Sequence, residues 1–587
     1  MCGITGEIRF NGAADIAAVT RMMSVLGTRG PDGGGLVSYN KISFGHRRLK
    51  VIDLSDCAAQ PMFDAELGLC IVFNGCIYDH LELRRELEGE GYRFFSKGDT
   101  EVILKAWHCW GPDCLQRFHG MFAFVIWERE SGRVFAARDR LGIKPLYYAE
   151  IDDGLRFAST LPALLQAGGV DTSIDPVALH HYMSFHSVVP APHTILRGVR
   201  KLPPATWLCI DAEGNRRQET WWRVNYEHDE PERSFEEWIE LVLDGLRTAV
   251  RRRLVADVDV GVFLSGGLDS SLVTALIHEA GHEALQTFSV GFESAGGERG
   301  DEFHYSDAVS NHYHTHHHRF FIGSDELLEA LPGCVGAMSE PMVSHDAVGF
   351  FLLSREVSRH LRVVQSGQGA DEVFGGYHWY PSLMEEGAGV ADYRRLFFDR
   401  THEEMQRALM PELVSEDYSS EFVENHFRLP GADSTIDRAL RLDTTVMLVD
   451  DPVKRVDNMT MAWGLEARVP FLDHELVELA ARVPAGFKVG GGGKHVLKEA
   501  ARKVIPHDVI DRPKGYFPVP ALKYIRGPYR DFLQDIMNSR AARERGIFRR
   551  EYVDELFQDP DRHITPLGGS KLWQVALLEY WLQANGL

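Results

Sequence analysis

The amino-acid sequence predicts two large folding units of different class, an α+β unit over residues 2–210 and an α/β unit over residues 234–587, joined by a linker over 211–233. Short apolar runs separated by Gly, Asp and Asn turns predict layered α+β packing in the first unit. Apolar runs that end in Gly-rich turns and lead into helices predict a parallel sheet in the second. A polar, acidic composition predicts the linker between them.

The elements of each unit follow from these patterns in chain order. In the first unit, strands are expected at residues 41–44, 69–73, 122–127, 134–137, 155–158 and 207–210, and helices at 14–26 and 101–110. In the second unit, strands are expected at residues 260–264, 285–290 and 361–365, with a helix over 272–279 and mostly helical structure beyond about residue 390.

The chain has 587 residues, of which 63 are Lys or Arg and 85 are Asp or Glu, giving a net charge of −22. This acidic balance argues against nucleic-acid binding, which needs basic surfaces, and against docking on anionic lipid. No apolar run reaches the roughly 20 residues of a membrane helix, and the start MCGITGEIRF has neither the basic nor the apolar part of a signal peptide. We therefore expect a cytoplasmic protein that binds no nucleic acid or membrane; a homodimer is left open.

Cys2 becomes the first residue if Met1 is removed, and its thiol and amine then lie on adjacent carbons. The pKa values of an α-amine and a thiol, about 7.7–8.0 and about 8.5, let the amine accept the thiol proton directly or through water. Such a pair is an N-terminal nucleophile with its own base. If Met1 is retained, that amine is an amide, so mass spectrometry of the N-terminus decides whether this chemistry is available.

Four motifs follow Cys2 in order: RGPDGGG at 29–35, HRRL at 46–49, FNG at 73–75 and GDTEVIL at 98–104. With them the first unit resembles the class II glutamine amidotransferases, in particular the glutaminase domain of the glutamine-hydrolysing asparagine synthetase family. That resemblance implies the N-terminal nucleophile fold, an αββα sandwich. It also implies that Cys2 attacks the side-chain amide carbon of glutamine, which releases ammonia.

The same resemblance assigns the residues around the nucleophile. The Asn74 side-chain N–H and the Gly75 backbone N–H would form an oxyanion hole, each donor contributing about 3–4 kcal/mol. Arg48 would bind the glutamine α-carboxylate, a bidentate task that suits a guanidinium. Asp99 would bind the ammonium of glutamine, and the backbone at Ile52 would help to shape the pocket.

Cys76 departs from the family pattern, because NGCIYD stands where the family usually has NGEIYN. The missing Glu would help to hold the glutamine ammonium, an interaction of about 1.5–3 kcal/mol. The departure predicts either weaker glutamine binding or a compensating group. For Cys76 itself, a small buried apolar side chain is the simplest role.

SGGLDSS at 265–271 follows a predicted strand and begins a helix, a position where backbone N–H groups and the helix terminus favour phosphate. Its spacing is not that of a Walker P-loop. It resembles the PP-loop of ATP pyrophosphatases, which cleave ATP between the α and β phosphates, and so implies ATP with Mg²⁺. The implied ATP-binding residues are Leu264, Ser265, Gly266, Gly267, Asp269, Ser270, Val290, Ser366, Gly367 and Lys514.

A second Gly-rich turn, SGQGADE at 366–372, ends another predicted strand, so both turns are expected at the carboxyl edge of one sheet. The family has Glu or Asp at the third position, where the acid helps to manage protons around the acyl-adenylate and the incoming ammonia. Gln368 cannot take a proton but can donate to a carbonyl or carboxylate. Asp371 and Glu372 remain as acids of the synthetase site, and Asp269 and Asp371 are the expected Mg²⁺ ligands.

Basic residues near the C-terminal end are expected to face phosphate charge, since an ATP site in an acidic chain needs locally positive groups. The resemblance places Lys514 at the pyrophosphate, whereas Lys494 and Lys498, four apart on an expected helix, fit either a solvated face or the site.

A family signature, DNMTMAWGLEARVPFLD, occupies residues 457–473. Its charged members are expected to form a buried network beside the site: Glu466, Arg468 and Asp473. The acceptor pocket is expected at residues 340–346 and in the loop after Gly376.

Together the two units imply a glutamine-dependent amidotransferase. Ammonia from glutamine would cross an internal tunnel and attack a carboxylate that Mg-ATP has converted to an acyl-adenylate, giving an amide, AMP and pyrophosphate. The strings NGCIYD and SGQGADEVFGGYHWYP look like a bacterial subgroup that amidates N-acetylglutaminylglutamine, an osmolyte dipeptide; aspartate or another carboxylate stays open. The rival classes are a plain glutaminase, a ring-closing enzyme similar to β-lactam synthetase and a non-catalytic glutamine and ATP sensor.

Overall fold

The computed structural model describes residues 2–228, 233–282, 284–294, 300–512 and 525–587. Within these ranges, two six-stranded antiparallel sheets lie in the N-terminal part and a five-stranded parallel sheet lies in the C-terminal part.

The strands of the first two sheets are β1 (Gly3–Arg9), β2 (Gly33–Tyr39), β3 (Ile42–Arg48), β4 (Met62–Asp64), β5 (Leu69–Ile77), β6 (Gly120–Glu128), β7 (Val134–Arg138), β8 (Tyr147–Ile151), β9 (Gly154–Ala158), β10 (Val199–Lys201), β11 (Thr206–Ile210) and β12 (Arg216–Thr220). Their orders are β10-β8-β9-β1-β3-β2 and β12-β11-β7-β6-β5-β4. The α-helices of this part are Ile16–Val25, His80–Gly89, Asp99–Trp110, Cys114–Arg117, Leu161–Ala167 and Pro176–Ser184.

The two sheets pack face to face, and helices cover their outer faces. Along β5, Val72 packs into the core between the sheets, whereas Phe73 packs against the helix Asp99–Trp110, because successive side chains of a strand point to opposite faces. The layers are therefore helices, sheet, sheet and helices. Asn74 returns to the inter-sheet face of β5, and Cys2 immediately precedes β1 on that side.

The structure corrects the predicted linker over 211–233. Residues Arg216–Thr220 form β12, which pairs with β11 at the edge of the second sheet. A turn held by the Asp211 carboxylate, which accepts the backbone N–H groups of Glu213 and Asn215, joins the two strands. All five residues of β12 are exposed, and for that reason the strand has no alternation of apolar and polar residues that the sequence could show.

The parallel sheet has the order β15-β14-β13-β16-β17. Its strands are β13 (Val260–Phe263), β14 (Gln286–Phe292), β15 (His316–Ile322), β16 (Val363–Gln365) and β17 (Glu466–Arg468). Because β13 and β16 are neighbours and run in the same direction, the loops that follow them meet at one edge of the sheet.

Helices surround this sheet. The α-helices are Phe235–Arg252, Leu268–Glu279, Phe303–Tyr313, Ser324–Ala337, Ala347–Val357, Ala370–Phe374, Val390–Phe397, His402–Ala408, Tyr418–Arg428, Thr435–Leu442, Lys454–Met461, His474–Arg482, Ala485–Val489, His495–Ala501, His507–Ile510, Pro528–Asn538, Arg540–Arg545, Arg550–Gln558 and Lys571–Ala584. In the part of the chain that the structure describes, no helix combines the length and the apolar run needed to cross a membrane.

Buried ion pairs join the N-terminal and C-terminal parts. Asp457 accepts from Arg29 at 2.8 Å and from Lys144 at 3.2 Å, and at most 5% of any of the three side chains is exposed. Lys201 pairs with Asp450 at 2.6 Å in the same interface. Removing one member of such a buried pair costs about 3–5 kcal/mol, so these contacts fix how the two parts dock.

Asp443 lies in a π-helical stretch, Asp443–Met447, that continues the helix Thr435–Leu442. The hydroxyls of Tyr380 and Tyr393 both donate to its carboxylate. Burial raises the pKa of Asp443 to about 7, although these hydroxyl donors act in the opposite direction. The folded chain therefore holds a proton that the unfolded chain releases near the ordinary Asp pKa of about 3.9.

Because Asp443 binds its proton more tightly in the folded state, its contribution to stability is complete below about pH 4 and is lost as the pH rises through about 7. We expect Asp443→Asn to be more stable than wild type by an amount that grows between about pH 4 and pH 7 and stays constant above it, reaching about 2–4 kcal/mol in unfolding free energy. Thermal melts across this range test it, with exposed Asp56→Asn as control. A gain independent of pH would contradict the assignment.

Candidate active sites

Cys2 is buried between the two antiparallel sheets. Its backbone N–H donates to Asn74 Oδ1 at 3.1 Å, and its Sγ lies 4.0 Å from the carbonyl oxygen of Leu49. Burial raises the pKa of the thiol, so a nearby base would be needed to form the thiolate. Met1 lies outside the described residues.

Two amide donors lie beside this thiol. Asn74 Nδ2 is buried and has no hydrogen-bond partner among the described residues, a state that costs about 1–3 kcal/mol unless a ligand accepts the bond. The next residue must be Gly, because a Cβ at Gly75 would lie 2.2 Å from the carbonyl oxygen of Met121. The pair Asn74 and Gly75 can therefore offer a side-chain and a backbone N–H to one oxygen.

The remaining predicted glutamine residues line the same cavity as Cys2: Arg48, Ile52, Gly75 and Asp99. The Arg48 guanidinium is held by the backbone carbonyls of Ser55, at 2.8 Å, and Asp53. Asp99 begins a helix, accepts from the Ile77 N–H at 3.0 Å and has its pKa raised by burial. A cation and a carboxyl group on one cavity match the two charged ends of an amino acid.

Cys76 also lines this cavity and is almost fully buried. Its Sγ lies 3.7 Å from Arg468 Nη2, and burial raises the pKa of the thiol far above its usual value. The contact with Arg468 shows that the C-terminal part closes the pocket here.

A cavity of about 360 Å³ lies at the carboxyl edge of the parallel sheet. The predicted residues that line it are Leu264, Ser265, Gly267, Asp269, Ser270, Val290, Ser366, Gly367, Gln368, Asp371 and Glu372. Gly266 lies in the same loop with φ +74, and a Cβ there would be 2.5 Å from the Ser306 backbone N, so the turn requires Gly. Lys514 lies outside the described residues.

The two Gly-rich loops touch each other. A Cβ at Gly367 would lie 2.9 Å from the Cβ of Asp269, so the second loop packs on the first. Within the first loop, the Ser265 and Ser270 hydroxyls lie 3.0 Å apart, and the Gly267 N–H donates to Ser265 Oγ at 3.3 Å. Two hydroxyls and the start of the helix Leu268–Glu279 thus lie together in this loop, an arrangement that favours an anion such as phosphate.

Lys494 connects the acids of these loops. Its Nζ lies 2.7 Å from Asp269 Oδ2 and 2.9 Å from Asp371 Oδ2. The two carboxylates raise the pKa of Lys494 although burial alone would lower it. Gly376 makes room for this side chain, because a Cβ there would lie 2.3 Å from Lys494 Cε. Of the two interpretations left open by the sequence, the structure places Lys494 in the cavity.

Glu372 and Tyr377 also line the cavity, and the Tyr377 hydroxyl donates to the Glu372 carboxylate at 2.6 Å. Burial and the neighbouring Asp371 raise the pKa of Glu372 to about 7. Glu372 is therefore partly protonated at neutral pH and can exchange a proton with a bound group. Apolar side chains also line the cavity: Phe263, Phe288, Val290, Phe292 and Phe350.

Sequence comparison decides the family. Residues 241–583 match the asparagine synthase family and residues 1–222 match the glutamine amidotransferase domain. The chain belongs to the asparagine synthase family. Membership makes it a carbon–nitrogen ligase of the asparagine synthase type with a glutamine amidotransferase domain.

Relatives match over nearly the full length of the chain. Asparagine synthetase [glutamine-hydrolyzing] 1 from Bacillus subtilis is 30% identical over 100% of this chain and 97% of its own length. Asparagine synthetase [glutamine-hydrolyzing] 3 from the same organism is 28% identical over 95% of this chain and 93% of its own length. A protein named amidase chyE from Penicillium rubens is 25% identical over 95% and 96%, respectively.

Two further basic residues line the larger cavity: Lys498, for which the sequence left both a solvated face and the site open, and Arg512, to which the sequence assigned no role. Lys498 follows Lys494 one helical turn later, and Arg512 donates to Glu302 at 3.0 Å. Arg512 Nη1 is buried without a hydrogen-bond partner among the described residues, beside Gly267, where a Cβ would lie 3.5 Å from Nη2. Arg512 immediately precedes the residues that the structure does not describe.

The charged residues of the family signature lie in two different places in the structure. Glu466 accepts from Arg468 Nε at 2.6 Å and lines the cavity around Cys2, whereas Asp473 pairs with Arg252 and Arg253 at 3.0 and 2.9 Å. The sequence predicts a buried charge network of Glu466, Arg468 and Asp473, and all three side chains are indeed buried. It gave no signal that Glu466 enters the pocket of the other domain, because that placement depends on docking.

Proposed function

We propose that this chain is a glutamine-dependent amidotransferase with one domain at 2–210, completed by the edge strand β12, and a second at 234–587. Cys2 would attack the glutamine amide carbon while Asn74 and Gly75 hold the developing oxyanion. Breaking of the C–N bond would release ammonia and leave a thioester on Cys2, which water would then hydrolyse to glutamate and the free thiol. The observation that carries this half of the proposal is the buried Nδ2 of Asn74, which has no hydrogen-bond partner among the described residues and lies beside the Cys2 backbone. Because this N–H donor is already held in position, it needs no reorganisation when negative charge develops on the substrate oxygen.

In the second domain, the acceptor carboxylate would attack the α-phosphate of ATP and displace pyrophosphate, forming an acyl-adenylate. Ammonia would attack the acyl carbon, release AMP and yield the amide, and Glu372 would take the proton that ammonia loses. Lys494 and Arg512 support this half, because cations at the two loops stabilise leaving phosphate charge.

The charges of the cavity support the use of Mg²⁺. Among its described lining residues, four are acids, Asp269, Glu302, Asp371 and Glu372, and three are bases, Lys494, Lys498 and Arg512. The locally basic site expected from the sequence is therefore absent from the described lining. Asp269 and Asp371 offer the oxygen ligands that Mg²⁺ prefers and would hold it, and the ion would neutralise phosphate charge when bound.

For the acceptor we propose N-acetylglutaminylglutamine. Free aspartate carries an α-ammonium that needs negative partners, whereas the acetylated dipeptide has none. Gln368 lines the cavity as a neutral amide where the family usually has an acid, and the pKa of Glu372 is raised to about 7, so the cavity has less negative charge than a site for ammonium would have. Aspartate is the second candidate, because the 30% identical relative is named an asparagine synthetase.

A substrate panel tests the acceptor. With glutamine and Mg-ATP, we expect AMP and pyrophosphate to form with the dipeptide, and kcat/KM for aspartate to be at least about 100-fold lower, since unpaired charge in a buried site costs about 3 kcal/mol or more. Turnover with aspartate but not the dipeptide would reverse the assignment. No turnover with any carboxylate, from glutamine or from ammonium chloride, would favour a sensor.

A further inference from the structure

The pocket around Cys2 holds a carboxyl group from each half of the chain. Asp99 comes from the start of the helix Asp99–Trp110, and Glu466 comes from β17 of the parallel sheet. Both are buried. Resting on the proposed function, we propose that Glu466 is the second acid of the glutamine ammonium subsite and acts with Asp99 across the domain boundary.

The charge states of the two acids favour a cation between them. Burial alone would raise the pKa of Glu466, but the positive charge around it outweighs burial and lowers the pKa, so this carboxylate stays charged. Burial raises the pKa of Asp99, and the negative charge of Glu466 acts in the same direction. A ligand ammonium placed near both groups would relieve their repulsion. Arg48 lines the same pocket, so the pocket offers a cation as well as two acids to the carboxylate and ammonium of an α-amino acid.

Cys76 explains why a second acid from elsewhere is needed in this chain. The family usually carries Glu at that position on β5, and a thiol cannot hold an ammonium by charge. In this chain Arg468 Nη2 contacts the Cys76 sulfur at 3.7 Å, while Arg468 Nε pairs with Glu466 at 2.6 Å. Glu466 is part of the family signature, and with a thiol at position 76 the acids among the described residues that line this pocket are Asp99 and Glu466.

The position of Glu466 is set by the second domain. Three-residue β17 is hydrogen-bonded beside β16, and the Arg468 carbonyl accepts the Ser366 N–H at 2.8 Å. Ser366 begins the second Gly-rich loop. Glutamine would therefore be bound at full strength only when the synthetase sheet is docked and ordered.

Calorimetric titration of glutamine into Cys2→Ala protein tests the proposal without turnover. We expect Glu466→Gln in this background to raise the glutamine Kd by at least about 10-fold, as for the loss of a charged hydrogen bond. Adding Cys76→Glu to the same protein returns a carboxylate to the pocket and is expected to recover most of the affinity. The exposed Glu416→Gln serves as the matched control and should leave Kd unchanged.

The second readout separates binding from structure. In the chain with Cys2 intact, Glu466→Gln is expected to raise the glutamine KM by a larger factor than any change it makes in the rate of ammonia-dependent AMP formation. If the variant does not fold, Glu466→Asp keeps the charge one methylene further away and is expected to raise Kd about 3-fold or more. An unchanged Kd, or a loss that Cys76→Glu does not recover, would overturn the proposal. Absence of ammonia-dependent amide synthesis in wild type would instead refute the proposed function, while the binding result would still stand.

Discussion

Cys2→Ala is expected to abolish glutamine hydrolysis, by at least about 10⁴-fold in kcat, and to leave ammonia-dependent amide synthesis within about 3-fold of wild type. The sulfur is the nucleophile of the proposed first half-reaction, and the remaining pocket offers no group that could replace it among its described lining residues, since the only other thiol there, Cys76, has its pKa raised far above neutrality by burial. Glutamate release and AMP formation, measured separately, give the two activities.

Two further cysteine variants control this result. Cys57→Ala should retain both activities, because the Cys57 side chain is exposed and does not line the pocket around Cys2. Cys76→Ala should retain glutamine hydrolysis in measurable amount. If Cys76→Ala is inactive and Cys2→Ala is not, the nucleophile has been assigned to the wrong residue.

Lys494→Met is expected to lower the rate of amide synthesis by about 10³-fold, with either glutamine or ammonium chloride as donor. The substitution removes the cation that contacts Asp269 at 2.7 Å and Asp371 at 2.9 Å. Both carboxylates would then repel the phosphates of ATP. Glutamine hydrolysis at Cys2 should persist in this variant and serves as an internal test that the chain is folded.

The matched control is Lys503→Met, a surface lysine that pairs with Glu240. It should leave synthesis unchanged, because exposed ion pairs contribute little. Loss of both activities in Lys494→Met, together with a lower Tm, would mean that Lys494 acts in folding and not in the reaction.

The sequence predicts those parts of the fold and of the candidate sites that depend on local rules. Each Gly-rich turn follows an apolar strand, and in parallel sheets that arrangement alone brings residues 265–271 and 366–372 to one edge. β12 and β17 were not predicted. The first is polar on both faces, and the second is three residues long with a charged residue at each end, so neither shows the alternation that marks a strand.

Side chains whose position depends on tertiary contacts could be predicted only in part. Lys494 has a left-handed backbone, with φ 54, just before the helix His495–Ala501, so the helical spacing from Lys498 does not describe its direction. Glu466 enters the Cys2 pocket only because β17 docks on the other domain. In both cases the residues that bring the side chain into the site lie more than 100 positions away in the chain, so no local sequence pattern reports the contact.

Edge strand β12 has a consequence for the behaviour of the protein at high concentration. An unpaired sheet edge can template the strand of another molecule and start aggregation. Here the edge carries the residues RRQET, with two cations and an anion exposed to water, so an incoming chain would have to desolvate these charges. The segment predicted from the sequence to be a linker therefore places charged residues along the edge of this sheet. These charges disfavour pairing with a strand of another molecule, which apolar residues at the same edge would promote.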